Sequence, residues 1–266
     1  MAKPSDVHEH RTGHGNWHVP MLGRDGMLLL LTWAAGSVDA VSYLGLGHVF
    51  TAMMTGNTVL LGMAIGQGQV LAALRSVTAL GGFCLGAAVG ALIVEREKKQ
   101  QEWPTAVTGA LALEAIALGL FTIAWHVMDP ARSGGTLHVL ILLSGLAMGI
   151  QAAAVRRLGV PGIATTYITG TITSLMVDLI GYLRSATVPL LAGRSRSETA
   201  SGEAPAARWE GRVGLLAGVF LFYGLGALVG SVLQVRSSSL VTFSPLVAVA
   251  LVVLNASLVG RQARRS

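Results

Sequence analysis

The chain has 266 residues, of which 52% are hydrophobic and only 12% are charged. This charged share is about half that of an ordinary soluble domain. Several apolar runs reach the roughly 18 to 20 residues that cross the hydrocarbon core of a bilayer, so the composition argues against a soluble domain. The net charge of +6 does not point to nucleic acid, because the basic residues flank the apolar runs and so carry information about topology.

A polar tail at 1–25 opens the chain and holds four of its seven histidines, namely His8, His10, His14 and His18. They are weak candidates for a metal site, since nothing in a flexible tail fixes a ligand geometry. Chance histidines in a disordered tail are the simpler interpretation. The tail lacks the pattern of a cleaved signal peptide, so we expect the first apolar segment to remain as a membrane helix.

Eight apolar segments follow, and they predict an all-α, polytopic membrane bundle of six to eight helices. The segments are 27–46, 50–66, 77–94, 106–127, 136–155, 163–184, 212–233 and 241–260. Gly45, Gly47 and His48 mark a break before the short second segment, either as a tight turn or as a helix interrupted within the membrane. We expect a membrane domain at 26–260, with a flexible loop at 185–211 and a basic tail at 261–266.

The distribution of basic residues predicts the topology. With eight helices and an inner N-terminus, the Lys and Arg residues of the connections and tails divide into twelve inside and six outside, which favours two inner termini. The connection at 95–102 fits poorly, because this arrangement places its three basic residues outside. An odd helix count would move one basic terminus to the outer side, so we prefer six or eight helices.

An internal repeat is suggested by two pairs of similar stretches. Thr51, Thr55 and Gly56 recur 114 residues later, and LGAAVG at 85–90 recurs as LGALVG at 225–230. The repeat predicts duplicated halves at 26–127 and 136–260. Four helices in each half would make the copies run parallel, whereas an odd number would invert them. Chance recurrence of small and apolar residues is the alternative.

The stretch Gly36–Asn57 concentrates polar side chains in apolar sequence. An ionised carboxylate at the centre of a membrane helix costs roughly 2.5 to 3.5 kcal/mol on insertion scales, so Asp39 needs a cavity or a partner. Tyr43 lies one turn later on the same helical face. Asp39 could therefore be a protonatable or cation-binding group in a cavity, or it could tie its helix to Asn57 or a threonine; the sequence favours neither.

This stretch, GSVDAVSYLGLG followed by FTAMMTGNTVLLG, closely resembles the signature of the bacterial YoaK family of multi-pass membrane proteins. The later element LGVPGIATTYITGT belongs to the same resemblance, which covers roughly 25–260. The Asp-Ala pair and the Thr-Gly-Asn triplet are its specific part. The resemblance implies a location in the bacterial inner membrane and no assigned biochemical role.

Threonines at helical spacing predict two matching hydroxyl stripes, which line a polar cavity or join helices. The first contains Thr51, Thr55 and Thr58, and the second contains Thr165, Thr169 and Thr173. Gln151 is the expected counterpart of Asp39 in the second half.

Two further acids lie in apolar segments. Glu114 and Asp178 are candidate proton carriers together with Asp39, although we expect Asp178 to be solvated near a helix end. Glycines spaced by four residues at 82–90 and 226–230 predict close helix packing, in which the third and seventh helices face each other or a second copy of the chain.

We find no motif of a catalytic or cofactor site in the sequence, so we expect neither enzyme activity nor a cofactor. The leading hypothesis is a permease for a small solute or ion. The alternative is a non-transporting assembly or sensory partner whose polar residues are structural. The site expected between the halves consists of Asp39, Tyr43, Thr51, Thr55, Asn57, Gln151, Thr165 and Thr169.

Overall fold

The computed structural model describes residues 22–97, 103–128, 134–160, 165–166, 168–192 and 205–263, with side chains omitted at 184–192, 205–210 and 263. Eight helices make up this described part of the chain. They are α1 Arg24–Gly45, α2 Met54–Gly66, α3 Val70–Val94, α4 Thr105–Val127, α5 Gly134–Arg157, α6 Ile168–Ala192, α7 Pro205–Arg236 and α8 Phe243–Ala263.

Six of these helices are long and apolar enough to span a bilayer, namely α1, α3, α4, α5, the part of α7 from Gly211 and α8. Helix α2 has 13 residues and is therefore about 20 Å long, which is short of the roughly 30 Å of hydrocarbon. Helix α6 has 25 residues, of which Ile168–Leu183 have described side chains and form a shorter apolar stretch. The protein is thus a multi-pass helical membrane protein with six spans among its described residues.

Glycines allow α3 and α5 to pack backbone against backbone. A methyl group on Gly86 would overlap the carbonyl oxygen of Leu146, and one on Gly149 would overlap that of Phe83. Such close approach is how helices gain packing energy in lipid, where the hydrophobic effect does not drive them together.

Helices α1 and α7 make the same kind of contact. A methyl group on Gly226 would overlap the carbonyl oxygen of Trp33, and one on Gly36 would overlap that of Tyr223. The glycine repeat of α3 therefore faces α5, and that of α7 faces α1. The expectation that α3 and α7 face each other is wrong, and these glycines are already covered within one chain.

The paired contacts also give the helix directions. Gly82, Gly86 and Gly90 lie against residues 142, 146 and 150 in the same order, so α3 and α5 run parallel. Helix α5 runs opposite to α1, since Gln151 bonds to the Leu31 carbonyl while Val41 shares a buried cluster with Ile141. The first helices of the two predicted halves thus point in opposite directions, which is the relation expected for an odd number of spans in each half.

The bundle has two ends, which we call the terminal end and the far end. At the terminal end α1 begins and α8 ends, and Asn255 there bonds to the backbone of Leu22. The far end brings together the end of α1 and the loop between α7 and α8, where Trp125 donates to the carbonyl of Ser238. Arg157, at the end of α5, donates to the carbonyl of Glu97 at the terminal end.

The polar connection predicted at 185–211 is shorter than expected. Helix α6 continues to Ala192 and α7 begins at Pro205. The remaining residues, 193–204, lie outside the described part of the chain.

Candidate functional site

The Asp39 carboxylate lies at the start of α2. Its Oδ1 accepts hydrogen bonds from three successive backbone N–H groups, those of Thr51 at 2.9 Å, Ala52 at 2.7 Å and Met53 at 3.3 Å. Helix α2 begins at the next residue, Met54. A carboxylate at this position interacts favourably with the positive end of the helix dipole.

A tyrosine from the other end of the chain supplies the fourth hydrogen bond. The hydroxyl of Tyr223 in α7 donates to Oδ2 of Asp39 at 2.5 Å. Sequence reasoning missed Tyr223, because nothing in an apolar helix 184 residues away identifies it as a partner. The glycine spacing of α7 predicted close packing but did not identify α1 as the neighbour.

The chain between α1 and α2 is fixed by three further interactions. Ser42 and Thr51 share a hydrogen bond between their hydroxyls at 2.8 Å. Asn57 accepts from the backbone N–H of Phe50 at 2.9 Å and donates to its carbonyl. Gly47 and His48 adopt positive φ angles of 78° and 64° and reverse the chain direction. The break predicted from these residues is therefore a loop that folds back into the bundle.

This geometry places the start of α2 inside the bundle. Asp39 lies six residues before the end of α1, which is about 9 Å along the helix axis. The side chain is only 3% exposed, and both carboxylate oxygens have partners. Of the two sequence interpretations, the structure therefore favours the tie between elements, formed with Tyr223 and the backbone before α2 rather than with Asn57.

A second polar centre lies at the start of α6. The Nε2 group of Gln151 donates to the hydroxyl of Thr165 at 2.9 Å and to the carbonyl of Leu31 at 3.0 Å. Gln151 and Thr165 are 0% and 1% exposed. Gln151 also lies six residues before the end of its helix, α5. The chain before α6 therefore lies about 9 Å inside the terminal end, just as the chain before α2 lies about 9 Å inside the far end.

A family of uncharacterised proteins matches residues 27–256, which include both polar centres, four whole spans and most of the first and last spans. Its description is "Protein of unknown function (DUF1275)". The chain belongs to the DUF1275 family.

One curated relative of this DUF1275 chain is the "UPF0700 transmembrane protein YoaK" of Bacillus subtilis (strain 168). The two are 46% identical over 160 residues, which is 60% of this chain and 69% of the relative. No solved structure matches the chain.

The other residues predicted for the site do not join these two centres. Tyr43 is 37% exposed and stacks on Phe50, with ring centroids 5.0 Å apart. Thr55 and Thr169 are exposed on α2 and α6. The two hydroxyl stripes are therefore not formed, because Thr51 and Thr165 precede their helices and lie in the buried loops.

Glu114 is fully buried in α4, with an exposure of 0%. Within the described part of the chain, neither of its carboxyl oxygens has a hydrogen-bond partner. Apolar side chains such as Leu111 and Leu118 belong to the same helix and are buried in the main core cluster. An unpaired carboxyl in such a place reduces stability, which is the pattern expected of a group retained for function.

Asp178 has a charged partner. Its Oδ2 lies 2.7 Å from Nε of Arg212 in α7, and its side chain is 6% exposed. The expectation that this carboxylate is solvated is wrong. This ion pair ties α6 to the beginning of the apolar part of α7. Helix α6 therefore runs from the interior of the bundle toward the terminal end.

The described residues contain no group of three or more His, Cys, Asp or Glu side chains that could hold a metal ion. The four histidines of the tail, His8, His10, His14 and His18, lie outside the described residues.

Proposed function

We propose that the protein is a permease for a small solute or ion, built from two duplicated halves of opposite orientation. The observation that carries the proposal is the pair of helices, α2 and α6, that each begin inside the bundle next to a buried polar centre after the chain is interrupted there. Short or interrupted helices at corresponding places in two halves are typical of secondary transporters, where their inner ends surround the site. This argument is an analogy of architecture.

The duplication is supported by equivalent contacts. The pairs Gly86–Leu146 and Gly149–Phe83 join α3 to α5, and the corresponding glycine contacts join α7 to α1. The starts of α2 and α6, Met54 and Ile168, are also related by the shift of 114 residues found in the sequence. If each helix is replaced by its counterpart, α1 by α5 and α3 by α7, the α3–α5 pair thus becomes the α7–α1 pair.

The inverted arrangement also improves the distribution of charge. With six spans, only Arg75, Arg132 and Arg236 belong to the far end, and the other sixteen of the 19 Lys and Arg residues belong to the terminal end. The connection at 95–102, which fitted poorly with eight spans, now joins the basic side. The rule that basic residues stay inside therefore supports a cytoplasmic terminal end in the bacterial plasma membrane.

Within this proposal Asp39 is a positioning residue. Its hydrogen bonds hold the N-terminus of α2 against α1 and α7, and its 3% exposure leaves no face for a solute. Gln151 and Thr165 hold the start of α6 in the same manner. Glu114 is the candidate proton carrier, because it is the buried carboxyl of the described chain that has no partner.

The alternative is a non-transporting membrane partner. The complete hydrogen bonding of Asp39 favours it, because a saturated and buried carboxylate acts as a tie between helices. Neither proposal includes enzyme activity.

Flux measurements separate the two functions. The purified protein is reconstituted into liposomes on a solid-supported membrane, and currents are recorded on exposure to a panel of ions and small charged metabolites, with and without a proton gradient. We expect at least one solute to give a current that protein-free liposomes lack. The absence of any protein-dependent current or uptake across the panel would favour the non-transporting partner.

A further inference from the structure

A cavity of about 590 Å³ lies between α3, α5 and the loop before α6. This volume is in the usual range for small-molecule sites, 300 to 1,000 Å³. Its walls are mostly apolar and include Phe83, Ala87 and Ala152, while Arg156, Thr165 and Thr166 supply the polar groups. Among the lining residues that the structure describes, Arg156 is the one that carries a charge.

The equivalent place in the first half is occupied by the Asp39 carboxylate. The glycine contacts match Gly149 with Gly36, so three residues further on Ala152 matches Asp39. They also match Phe83 with Tyr223, the hydroxyl donor to Asp39. Ala152, rather than the Gln151 expected from the sequence, is thus the counterpart of Asp39.

The loops correspond in the same way. The shift of 114 residues matches Thr165 and Thr166 with Thr51 and Ala52, whose N–H groups bind the Asp39 carboxylate. Both threonines line the cavity. Thr165 and Thr166 therefore occupy the positions that bind a carboxylate in the first half, whereas Ala152 and Phe83 supply neither a carboxylate nor a hydroxyl.

We propose that this cavity binds a small organic carboxylate, whose carboxylate group takes in the second half the place that the side chain of Asp39 takes in the first. The backbone at Thr166, which is partly exposed, and the guanidinium of Arg156 contact the carboxylate. Ala87 and the Phe83 ring contact the apolar body of the ligand. The inference rests on the proposed duplication and assigns a substrate class to the proposed permease.

The lining explains why the ligand is an anion with an apolar body. Arginine binds carboxylates through two parallel hydrogen bonds, and no acidic residue is among the described residues of the lining. A cation would therefore meet Arg156 and find no counter-charge from those residues. A strongly polar solute such as a sugar would leave most of its hydroxyl groups facing alanine side chains, at a cost for each unpaired group.

Benzoate and its neutral analogue benzamide test the proposal. Binding to the purified full-length protein in detergent is measured by saturation-transfer NMR and by the shift of the unfolding temperature. We expect benzoate to bind and to raise the unfolding temperature, and benzamide to bind at least about tenfold more weakly, because it lacks the charge-assisted hydrogen bonds. Equal binding of the two, or no binding of benzoate at millimolar concentration, would overturn the proposal.

Two substitutions locate the site. Arg156→Gln changes an exposed side chain and should weaken benzoate binding about tenfold. Arg236→Gln, an exposed arginine at the far end, is the matched control and should leave binding unchanged. Ala152→Asp introduces the carboxylate of the first half and should abolish binding. Wild-type affinity in either Arg156→Gln or a folded Ala152→Asp would refute the assignment.

The same variants distinguish a failed site from a failed permease. Uptake of labelled benzoate is measured in proteoliposomes containing the wild type or Ala152→Asp. Binding that is lost in Ala152→Asp, without uptake of benzoate by the wild type or a current for any solute of the panel, would retain the site and reject the permease. Uptake that persists in Ala152→Asp would retain the permease and reject the cavity as its carboxylate site.

Discussion

Asp39 is the residue on which the local structure of the first half depends most. One carboxylate oxygen satisfies three backbone N–H groups, and the other accepts the hydroxyl of Tyr223. No helix bonds are available to those N–H groups, because they precede α2. Removing the carboxylate therefore leaves several buried donors unpaired, and each unpaired donor is costly.

We predict that Asp39→Ala lowers the free energy of unfolding by about 3 kcal/mol. Asp39→Asn should cost only about 1 kcal/mol, because its amide oxygen can still accept from the loop while Tyr223 turns its hydroxyl to accept from the amide nitrogen. Thermal and denaturant unfolding in detergent measure both values. Tyr223→Phe removes one of the hydrogen bonds to Asp39 and is the control. If it lowered the free energy of unfolding as much as Asp39→Ala does, the bonds from Asp39 to the loop would not be its main contribution to stability.

Glu114 differs from Asp39, since its buried carboxyl oxygens have no partners in the described structure. We predict that Glu114→Met raises the free energy of unfolding by about 1 kcal/mol or more, because an apolar side chain of similar length removes an unsatisfied polar group. Unfolding of the purified variants measures the change. Glu95→Met, at an exposed position, should have little effect. A marked loss of stability in Glu114→Met would mean that the carboxyl has a stabilising partner.

At the scale of elements, the close helix pairs depend on individual glycines. We predict that Gly86→Ala destabilises the protein by about 1 to 3 kcal/mol, because the added methyl group forces α3 and α5 apart. Gly226→Ala should act in the same way on α7 and α1. The quantity measured is the unfolding midpoint in detergent.

Gly119 in α4 provides the matched control, because a methyl group there meets nothing within 4 Å. Gly119→Ala should leave stability unchanged or raise it by up to about 1 kcal/mol, through the better helix propensity of alanine. Equal effects of Gly86→Ala and Gly119→Ala would show that the packing of α3 on α5 does not depend on the missing side chain.

The elements themselves were largely predictable from the sequence, whereas their partners were not. Apolar runs located all eight helices, since the length of an apolar segment is a local property. Asp39 was recognisable because a carboxylate in apolar sequence is costly. Other features depend on which helices pack together, and no single helix contains that information. They are the bond of Asp39 to Tyr223, the separation of Tyr43 from Asp39 and the pairing of Asp178 with Arg212.

The choice between six and eight spans was left open by the sequence for a related reason. A segment such as 50–66 is apolar enough to pass for a membrane span, and counting it as one gives four spans to each half and makes the halves parallel. In the structure, the loop before α2 is drawn into the bundle by Asp39, so α2 begins at depth and returns to the far end. Helix α2 is then only 13 residues long and does not count as a span, which the apolarity of 50–66 alone does not show.

At the scale of the whole molecule, the number of spans determines which connections share a side of the membrane. Six spans place the connection after α3 on the terminal end and the connection after α7 on the far end, whereas eight spans would place both outside the cell. Glu95 and Ser238 are exposed residues in these two connections. Cys84 is the one native cysteine, so Cys84→Ser provides a background free of thiols.

We predict that a membrane-impermeant maleimide labels Ser238→Cys in intact cells and labels Glu95→Cys only after permeabilisation, because basic residues keep the terminal end in the cytoplasm. Labelling of both positions in intact cells would support eight spans and reject the inverted halves. Labelling of Glu95→Cys alone would keep six spans but reverse the orientation, and the carboxylate cavity between α3 and α5 would then face the outside of the cell.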